Sequence, residues 1–582
     1  MIQRYSTFLI ILCALLGGVP SSQAQSTFIP LNDDYHHLID RLEIKRGKLS
    51  EGFHYGVKPF ERRAVVQLTD SILKYGGVGL TEIDRATIRY LRDDSWEWTS
   101  DTIRTYYNSN PARLGSLPYS KKGEQKLWRH PADLYSVHNE DFDLHVNFAT
   151  NNIYGVENNT NSALWFTGRG VEIRGMINQK LGFYTYIADN QGTFPEYVRN
   201  YFSQYIDDYT NTYTFPGEGL AKPLRRTGVD FMSGRGYITF RPIKNISLQF
   251  GHDRNFIGSG YRSMLLSDNS PPYLFLRLDT QIGRFRYTNL WSSMINSQGA
   301  FRGDLLRARK YSAMHHLSIN LTDRFNLGIF EAEVFSRGDS TGNGGFDLNY
   351  LNPIIFYRFV ESYIGSEDNA LLGFDFRWLL AQRVSLYGQF MLDEFLTKYF
   401  FTNQGSWTKK YGLQLGGKYV DAFGVPNLDL QAEYNIARPF MYSHRDGGRN
   451  YAHFSQPLAH PLGANFVEVL GIVRYKASPR LTGYFTAMWS DKGLDSFGRN
   501  WGGNILLDYE TRFRSFGNYI TQGRSAITTL GDLRVSYMLA HNLFLEGRYL
   551  GRRTNYRREP DHKTSMATMA LRYNIPYRQQ IF

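Results

Sequence analysis

Arg284-Phe285-Arg286-Tyr287-Thr288-Asn289-Leu290-Trp291 is the stretch that decides how this chain folds. The arginines and the threonine fall on one face and Phe285, Tyr287 and Trp291 on the other, the period of two that a β-strand imposes. Leu533, Val535, Tyr537 and Leu539 alternate in the same way with Asp532, Arg534 and Ser536. The pattern returns about eighteen times between Asp141 and Phe582, which predicts an all-β membrane barrel of about 18 antiparallel strands. A soluble array of half-buried sheets also alternates. Closure with one face in lipid accounts better for charges that are abundant yet confined to alternate positions.

Composition agrees. Mean hydropathy is −0.41, and after the N-terminus no run of about 18 apolar residues occurs, which excludes helical spanning. Aromatic residues reach 15%, with 41 Tyr and 40 Phe, an excess explained by girdles at the two membrane interfaces. Residues 1–24 carry Arg4, the apolar run Phe8 to Leu16 and the small-residue ending Ser22-Gln23-Ala24, the pattern of a cleavable secretory signal. Cys13 is the sole cysteine and follows Ile10, Ile11 and Leu12, unlike the small-residue setting of a lipid-attachment site. The mature chain is therefore expected to lack thiols, disulfides and cysteine catalysis. A net charge of +12 points to anionic partners, acidic surface glycans or lipopolysaccharide phosphates. Nucleic acid is not expected, because the basic residues are spread over strands and loops rather than gathered on one helix.

Three helical patterns precede the barrel. Tyr35, Leu38, Ile39 and Leu42 make one stripe, which Gly47 can end. Val65, Leu68, Ile72 and Leu73 follow Pro59 and stop at Gly76-Gly77. Thr81 with Asp84 resembles a capping box ahead of Ile83, Thr87, Tyr90 and Leu91. The expected organisation is a signal peptide at 1–24, a small periplasmic helical bundle and linker at 25–140, and an outer-membrane barrel at 141–582. Short joins such as Gln281-Ile282-Gly283 and Leu380-Ala381-Gln382-Arg383 alternate with long ones near 193–228, 259–272, 337–369 and 491–524, as in outer-membrane barrels. An even strand number leaves both mature termini periplasmic. The last strand is expected to carry Met569, Leu571, Tyr573, Ile575 and Tyr577 on one face. With Phe582 at its end it resembles the signal read by the barrel-insertion machinery. The barrel is expected to be a monomer in contact with outer-membrane lipid and lipopolysaccharide.

Two groups of side chains are candidates for function. Arg235, Arg277, Arg286, Asp375, Arg377, Asp393, Glu433 and Arg534 fall at lumen positions with both signs interleaved, which suits a polar network of ion pairs more than an open conduit. The 193–228 loop holds Tyr197, Tyr201, Tyr205 and Tyr209 beside Asp207, rings and a carboxylate of the kind that bind sugars. Arg445, Arg449 and Arg557 lie in or beside other outer loops and could attract an acidic polysaccharide or lipopolysaccharide phosphates. The same loop rings could equally pack the loop against the rim. Gly338-Asp339-Ser340-Thr341-Gly342 has Gly-x-Ser-x-Gly spacing but, followed by Asn343-Gly344-Gly345, reads as a flexible loop tip rather than a nucleophile elbow, and His36-His37 and His315-His316 have no metal-binding spacing. The chain is expected to be non-enzymatic, without cofactor or metal.

Asn352-Pro353, Glu361-Ser362, Glu367-Asp368-Asn369, Leu372-Gly373-Phe374-Asp375, Ser385 to Gln389 and Asp393-Glu394-Phe395 resemble the Wzi-type capsule-assembly family of outer-membrane barrels. The resemblance is to its divergent branch, which includes RemB-like gliding-motility-associated proteins. Tyr35 to Ile44 followed by Lys58-Pro59 is similar to that branch too. The resemblance implies an eighteen-stranded barrel with an N-terminal helical bundle, acting as a surface lectin that retains exported capsular polysaccharide or exopolysaccharide. The outer loops are longer here than in compact members. The alternatives are a motility or adhesion barrel and a diffusion channel.

Overall fold

The computed structural model describes residues 25–76, 79–99, 127–139, 141–158, 163–207, 210–225, 227–297, 307–337, 345–353, 357, 360, 363, 365, 368–393, 397–557 and 559–577. The secretory-signal segment and Phe582 lie outside them.

Eighteen antiparallel strands close into one barrel. In chain order they are β1 Phe142–Glu157, β2 Leu164–Ile177, β3 Leu181–Thr193, β4 Gly228–Ile243, β5 Ile246–Asp253 and β6 Tyr273–Ile282. Next come β7 Phe285–Ile295, β8 Arg309–Asn320, β9 Phe325–Phe335, β10 Asn369–Ala381, β11 Val384–Asp393 and β12 Lys410–Tyr419. The set ends with β13 Leu428–Ala437, β14 Phe466–Lys476, β15 Leu481–Leu494, β16 Arg524–Ala540, β17 Leu543–Tyr556 and β18 His562–Tyr573. Each strand pairs with its neighbour in sequence, and β18 closes on β1 with Met566 opposite Glu157 and Tyr573 opposite Thr150. The short strand Tyr135–His138 pairs with the first residues of β1 and continues the line of β18.

The period of two sorts the wall as alternation requires. Leu533 is 49% exposed on the outer face, while Asp532 is 1% exposed toward the lumen. Along Arg284 to Trp291, Phe285 is exposed and Arg286 and Thr288 are buried. Arg284 departs from the pattern. It stands in the β6–β7 turn, exposed, and pairs with Asp323 at 3.1 Å instead of entering the lumen. Trp291 has the parity of the outer face but is covered by the β9–β10 connection, its Nε1 donating to the Tyr350 carbonyl at 2.9 Å and the Tyr357 hydroxyl at 3.2 Å.

Three helices precede the barrel: α1 Asp33–Arg46, α2 Arg62–Tyr75 and α3 Glu82–Asp93. Asn32 caps α1, accepting from the amides of Asp34 and Tyr35, and Gly47 ends it with φ +70°, a conformation that costs glycine little. Thr81 and Asp84 form the reciprocal capping box of α3. Ile39, Leu42, Val65, Leu68, Ile88 and Leu91 pack together with Phe53 and Phe60, and this core extends to Met538 of β16. The helices lie at the end of the barrel where the short turns are. Tyr90 donates to Asn542 at 2.5 Å, and Arg41 meets Asp421 at 2.6 Å, both partners being turn residues.

Two segments do not follow the expected layout. The β5–β6 connection, expected as an outer loop, folds into the barrel. Phe256–Ile257 pairs with Val57–Lys58 of the N-terminal segment, and Met264, Leu265 and Leu266 are fully buried with Met441, Tyr442 and Tyr451. An apolar run of that kind is driven out of water, and the lumen is the nearest place to bury it. The last strand stops at Tyr573, because Asn574 takes φ +52°. Met569 and Leu571 keep the exposed outer face. Ile575 turns inward onto the cluster of Phe28, Tyr184 and Tyr237, and the Tyr577 ring lies 3.5 Å from the Arg534 guanidinium carbon.

Candidate functional site

The lumen is a charge network built between the helical plug and the wall. Arg41 of α1 donates from Nε to Asp84 at 2.8 Å, from Nη2 to Asp421 at 2.6 Å, and from Nη1 to Asp429. Lys45 joins the same acids, 2.6 Å from Asp84 and 2.7 Å from Asp421. Arg62 reaches Asp94 at 2.7 Å, and Asp94 also accepts from Asn542 at 3.0 Å. Such charges are tolerable out of water because each is met by several opposite partners. Burial pushes the Asp40 carboxyl up, but Lys418 and Arg377 beside it prevail and hold it at about 2. Asp84 is likewise raised by burial and brought down to about 2, by Arg41 first and then Lys45.

All eight wall residues singled out for the lumen are engaged. Arg377 pairs with Asp40 and Glu43 of α1, and Arg534 with Asp34 at 2.8 Å. Arg235 meets Glu218 at 3.2 Å. Arg277 and Arg286 share Asp279 at 2.7 and 3.4 Å. Asp375 lies 2.7 Å from His316, in space that Gly328 leaves open, since a Cβ there would overlap both groups. Asp393 pairs with Lys410 at 3.0 Å. Glu433 anchors the infolded connection, accepting from the amides of Tyr261 and Arg262, the latter at 3.1 Å, and from the Tyr387 hydroxyl at 2.8 Å.

At the opposite end, the β3–β4 connection carries helix α4, Glu196–Ser203. Its Tyr197 is buried, with the Arg552 guanidinium 4.9 Å from the ring centre. Tyr201 meets Tyr205 edge to face at 5.6 Å, and Tyr205 packs against the infolded cluster. Asp207 lies in a two-residue strand opposite Thr212; Tyr209 lies outside the described residues. Arg445 and Arg557 are exposed, while Arg449 is half-buried and 3.3 Å from Asp446. The structure thus joins Tyr201 to Tyr205 and occupies Tyr197 with Arg552.

Among the described residues, two adjoining cavities lie inside the barrel. The larger, about 300 Å³, runs under the β3–β4 connection between Phe215 and Glu218 on one side and Arg474, Tyr484 and Arg548 on the other. The smaller, about 140 Å³, lies against α1 and α3. Asn32, Asp34, Arg474 and Tyr484 line both. Sequence reading missed Arg254, Tyr261 and Arg474 as lining residues. The signal for the first two is the run Met264-Leu265-Leu266, too apolar for a solvated loop.

Among the described residues, Glu97, Asp143 and His145 come close enough to suit a metal ion. Both ring nitrogens of His145 are already used, 2.6 Å from Asp133 and 3.0 Å from Asp143, and Arg174 pairs with Glu97. A cation would displace these partners and face Arg174, so the group reads as part of the charge network.

The wall and its contents define a class: a closed eighteen-stranded barrel of the outer-membrane type, with helices and an infolded loop in its lumen. Its fold is similar along nearly the whole chain to that of Wzi from Escherichia coli, an outer-membrane protein involved in group 1 capsule assembly and a carbohydrate-binding β-barrel. The TM-score is 0.55 at 11% identity, covering 95% of this chain and 100% of that one. OprD and OccK3 (OpdO) of Pseudomonas aeruginosa match less well, both with TM-scores of 0.40, at 10% and 12% identity, covering 74% of this chain and 94% and 95% of theirs. No protein-family model and no curated protein matches the sequence.

Proposed function

We propose that this chain is a monomeric outer-membrane barrel that holds an exported acidic polysaccharide at the cell surface without chemical turnover. Its short-turn end and plug face the periplasm. The observation that carries the reading is the contrast between the two ends. The plug end is tied to the wall by buried ion pairs, whereas the long-loop end, which also carries the aromatic β3–β4 connection, presents Arg445 and Arg557 to solvent. Cationic groups and rings at the same end suit a glycan that carries both carboxylates and hydroxyls. The shared fold with a carbohydrate-binding capsule barrel supports the same reading.

Deleting the gene and measuring retained against shed surface polysaccharide tests it, with the intact gene restored as control. The expected result is unchanged total polysaccharide with more of it in the medium. Unchanged retention with loss of spreading or adhesion would replace this reading by a motility or adhesion role. Steady ion conductance in planar bilayers would replace it by a channel.

A further inference from the structure

Among the described residues most buried arginines of the lumen pair with a carboxylate; Arg254 and Arg474 do not, and the buried Lys58 and Lys310 likewise meet only neutral acceptors. Arg254 opens the infolded connection and is 3% exposed. Its Nη1 donates to the Asp268 carbonyl at 3.2 Å, its Nε has no partner, and among the described residues no carboxylate lies within ion-pairing distance. Arg474 of β14 donates from Nη1 to Gln431 at 2.9 Å, and its Nε is also unpartnered. A desolvated guanidinium without a counterion is costly, and folded proteins seldom keep one unless something else meets it.

Both arginines line the larger cavity, which also offers the half-buried ring of Tyr261 and the side-chain oxygen of Asn269, whose Nδ2 donates to the Pro457 carbonyl at 3.1 Å. Asp33, in the first turn of α1, faces the same space, as do Asp268, Asp34 and Glu546, the last two engaged by Arg534, and Glu218, engaged by Arg235. Burial and the neighbouring Asp268 carboxylate hold the Asp33 carboxyl above the usual range, so it offsets the arginines less than an ordinary aspartate. At about 300 Å³ the cavity matches the lower end of ligand pockets, roughly 300–1,000 Å³. Guanidinium donors, a ring face and an amide oxygen in one cavity suit a molecule that carries an anionic group and hydroxyls on an apolar-faced ring.

We propose that this cavity binds a carboxylated mono- or disaccharide unit whose carboxylates pair with Arg254 and Arg474, the ring lying against Tyr261. The class of sugar rests on the polysaccharide reading above; the site rests on the two unpaired arginines. It places recognition inside the barrel, beneath the β3–β4 connection, as well as on the loop face.

The test is calorimetric titration of the full-length protein in detergent with sodium glucuronate and sodium digalacturonate, with glucose, acetate and phosphate alongside. Uronate binding is expected, weakened about tenfold or more by Arg254→Gln and by Arg474→Gln, partly restored by Arg254→Lys, and unchanged by Lys244→Gln in the exposed β4–β5 turn. Heat-modifiable gel migration confirms that each variant is folded. Absence of uronate binding, or binding that both glutamine variants leave within about twofold, overturns the site. Acetate or phosphate binding as tight as uronate overturns the sugar and leaves a plain anion pocket. Uronate binding that depends on Arg254, together with unchanged polysaccharide retention in the deletion strain, upholds the site and removes the retention reading. Shedding in that strain without uronate binding does the reverse.

Discussion

Arg534 Nη2 donates to both carboxylate oxygens of Asp34, at 2.8 and 2.9 Å, and so ties the barrel wall to the first turn of α1 across 500 residues of sequence. Its Nη1 reaches Glu546 at 3.2 Å, and the rings of Tyr484 and Tyr577 stand 3.9 and 3.5 Å from its guanidinium carbon. A planar fork serves two carboxylates and two ring faces at once, which an ammonium does not. Arg534→Ala is expected to weaken plug docking by about 3–5 kcal/mol, because it strands buried carboxylates. Arg534→Lys should recover only part of this. Limited proteolysis within α1 reports the difference, and a wild-type cleavage rate in the alanine variant would refute it.

Arg41 sits among Asp84, Asp421 and Asp429. Arg41→Met should speed hydrogen exchange across Asp33–Arg46 and Glu82–Asp93 while leaving the β-sheet circular dichroism unchanged, since the wall's own ladders are untouched. Equal protection of both helices in variant and wild type would show that apolar packing alone holds the plug.

Acid should undock the plug. Asp40 and Asp84 are each held at about 2 against an ordinary 3.8. A depressed carboxylate contributes stability that is fully present above its unfolded value and is lost as pH falls through the folded one. The loss therefore spans about pH 4 to 2. Proteolysis with an acid-active protease should show α1 opening in that window, and Asp40→Asn should abolish part of the dependence. A transition centred near neutrality would contradict the assignment.

Leu533 lies midway along β16 on the outer face. Leu533→Arg is expected to cost about 2–4 kcal/mol in lipid, the penalty for a cation near the bilayer midplane. Folding yield into vesicles against urea measures it. A neutral result would mean that this face does not meet hydrocarbon.

On the loop face, Arg445→Glu combined with Arg557→Glu should reduce polysaccharide retention, and added salt should reduce wild-type retention in the same direction. Normal retention by the double variant at low salt would move recognition away from those two residues.

How much of this was legible in the sequence depends on the distance over which the information is written. The inward position of Arg286, Asp532 and Arg534 follows from a period of two, which any eight residues display. The capping of α3 by Thr81 and Asp84 is equally local. That Arg377 would meet Asp40, or Arg534 Asp34, is fixed by closure of the whole wall around the plug, and no window of sequence contains it. Trp291 shows the limit of alternation: its parity is right, but its cover comes from the β9–β10 connection. The inward turn after Tyr573 hangs on one residue, Asn574, in a conformation that the preceding pattern gives no reason to expect.

The ion pairs between plug and wall also impose an order on biogenesis. Asp34, Asp40, Arg41 and Lys45 are synthesised long before Asp421, Asp429 and Arg534, so α1 leaves the ribosome with none of its wall counterions. Until the last strands are made, those side chains stay hydrated, and the helix has little to gain from burial. Insertion into the bilayer and docking of the plug are then one event. A barrel that seals before its helices enter would have to reopen to admit them, and any factor that assists its assembly must hold the N-terminal segment within reach while the first and last strands find each other.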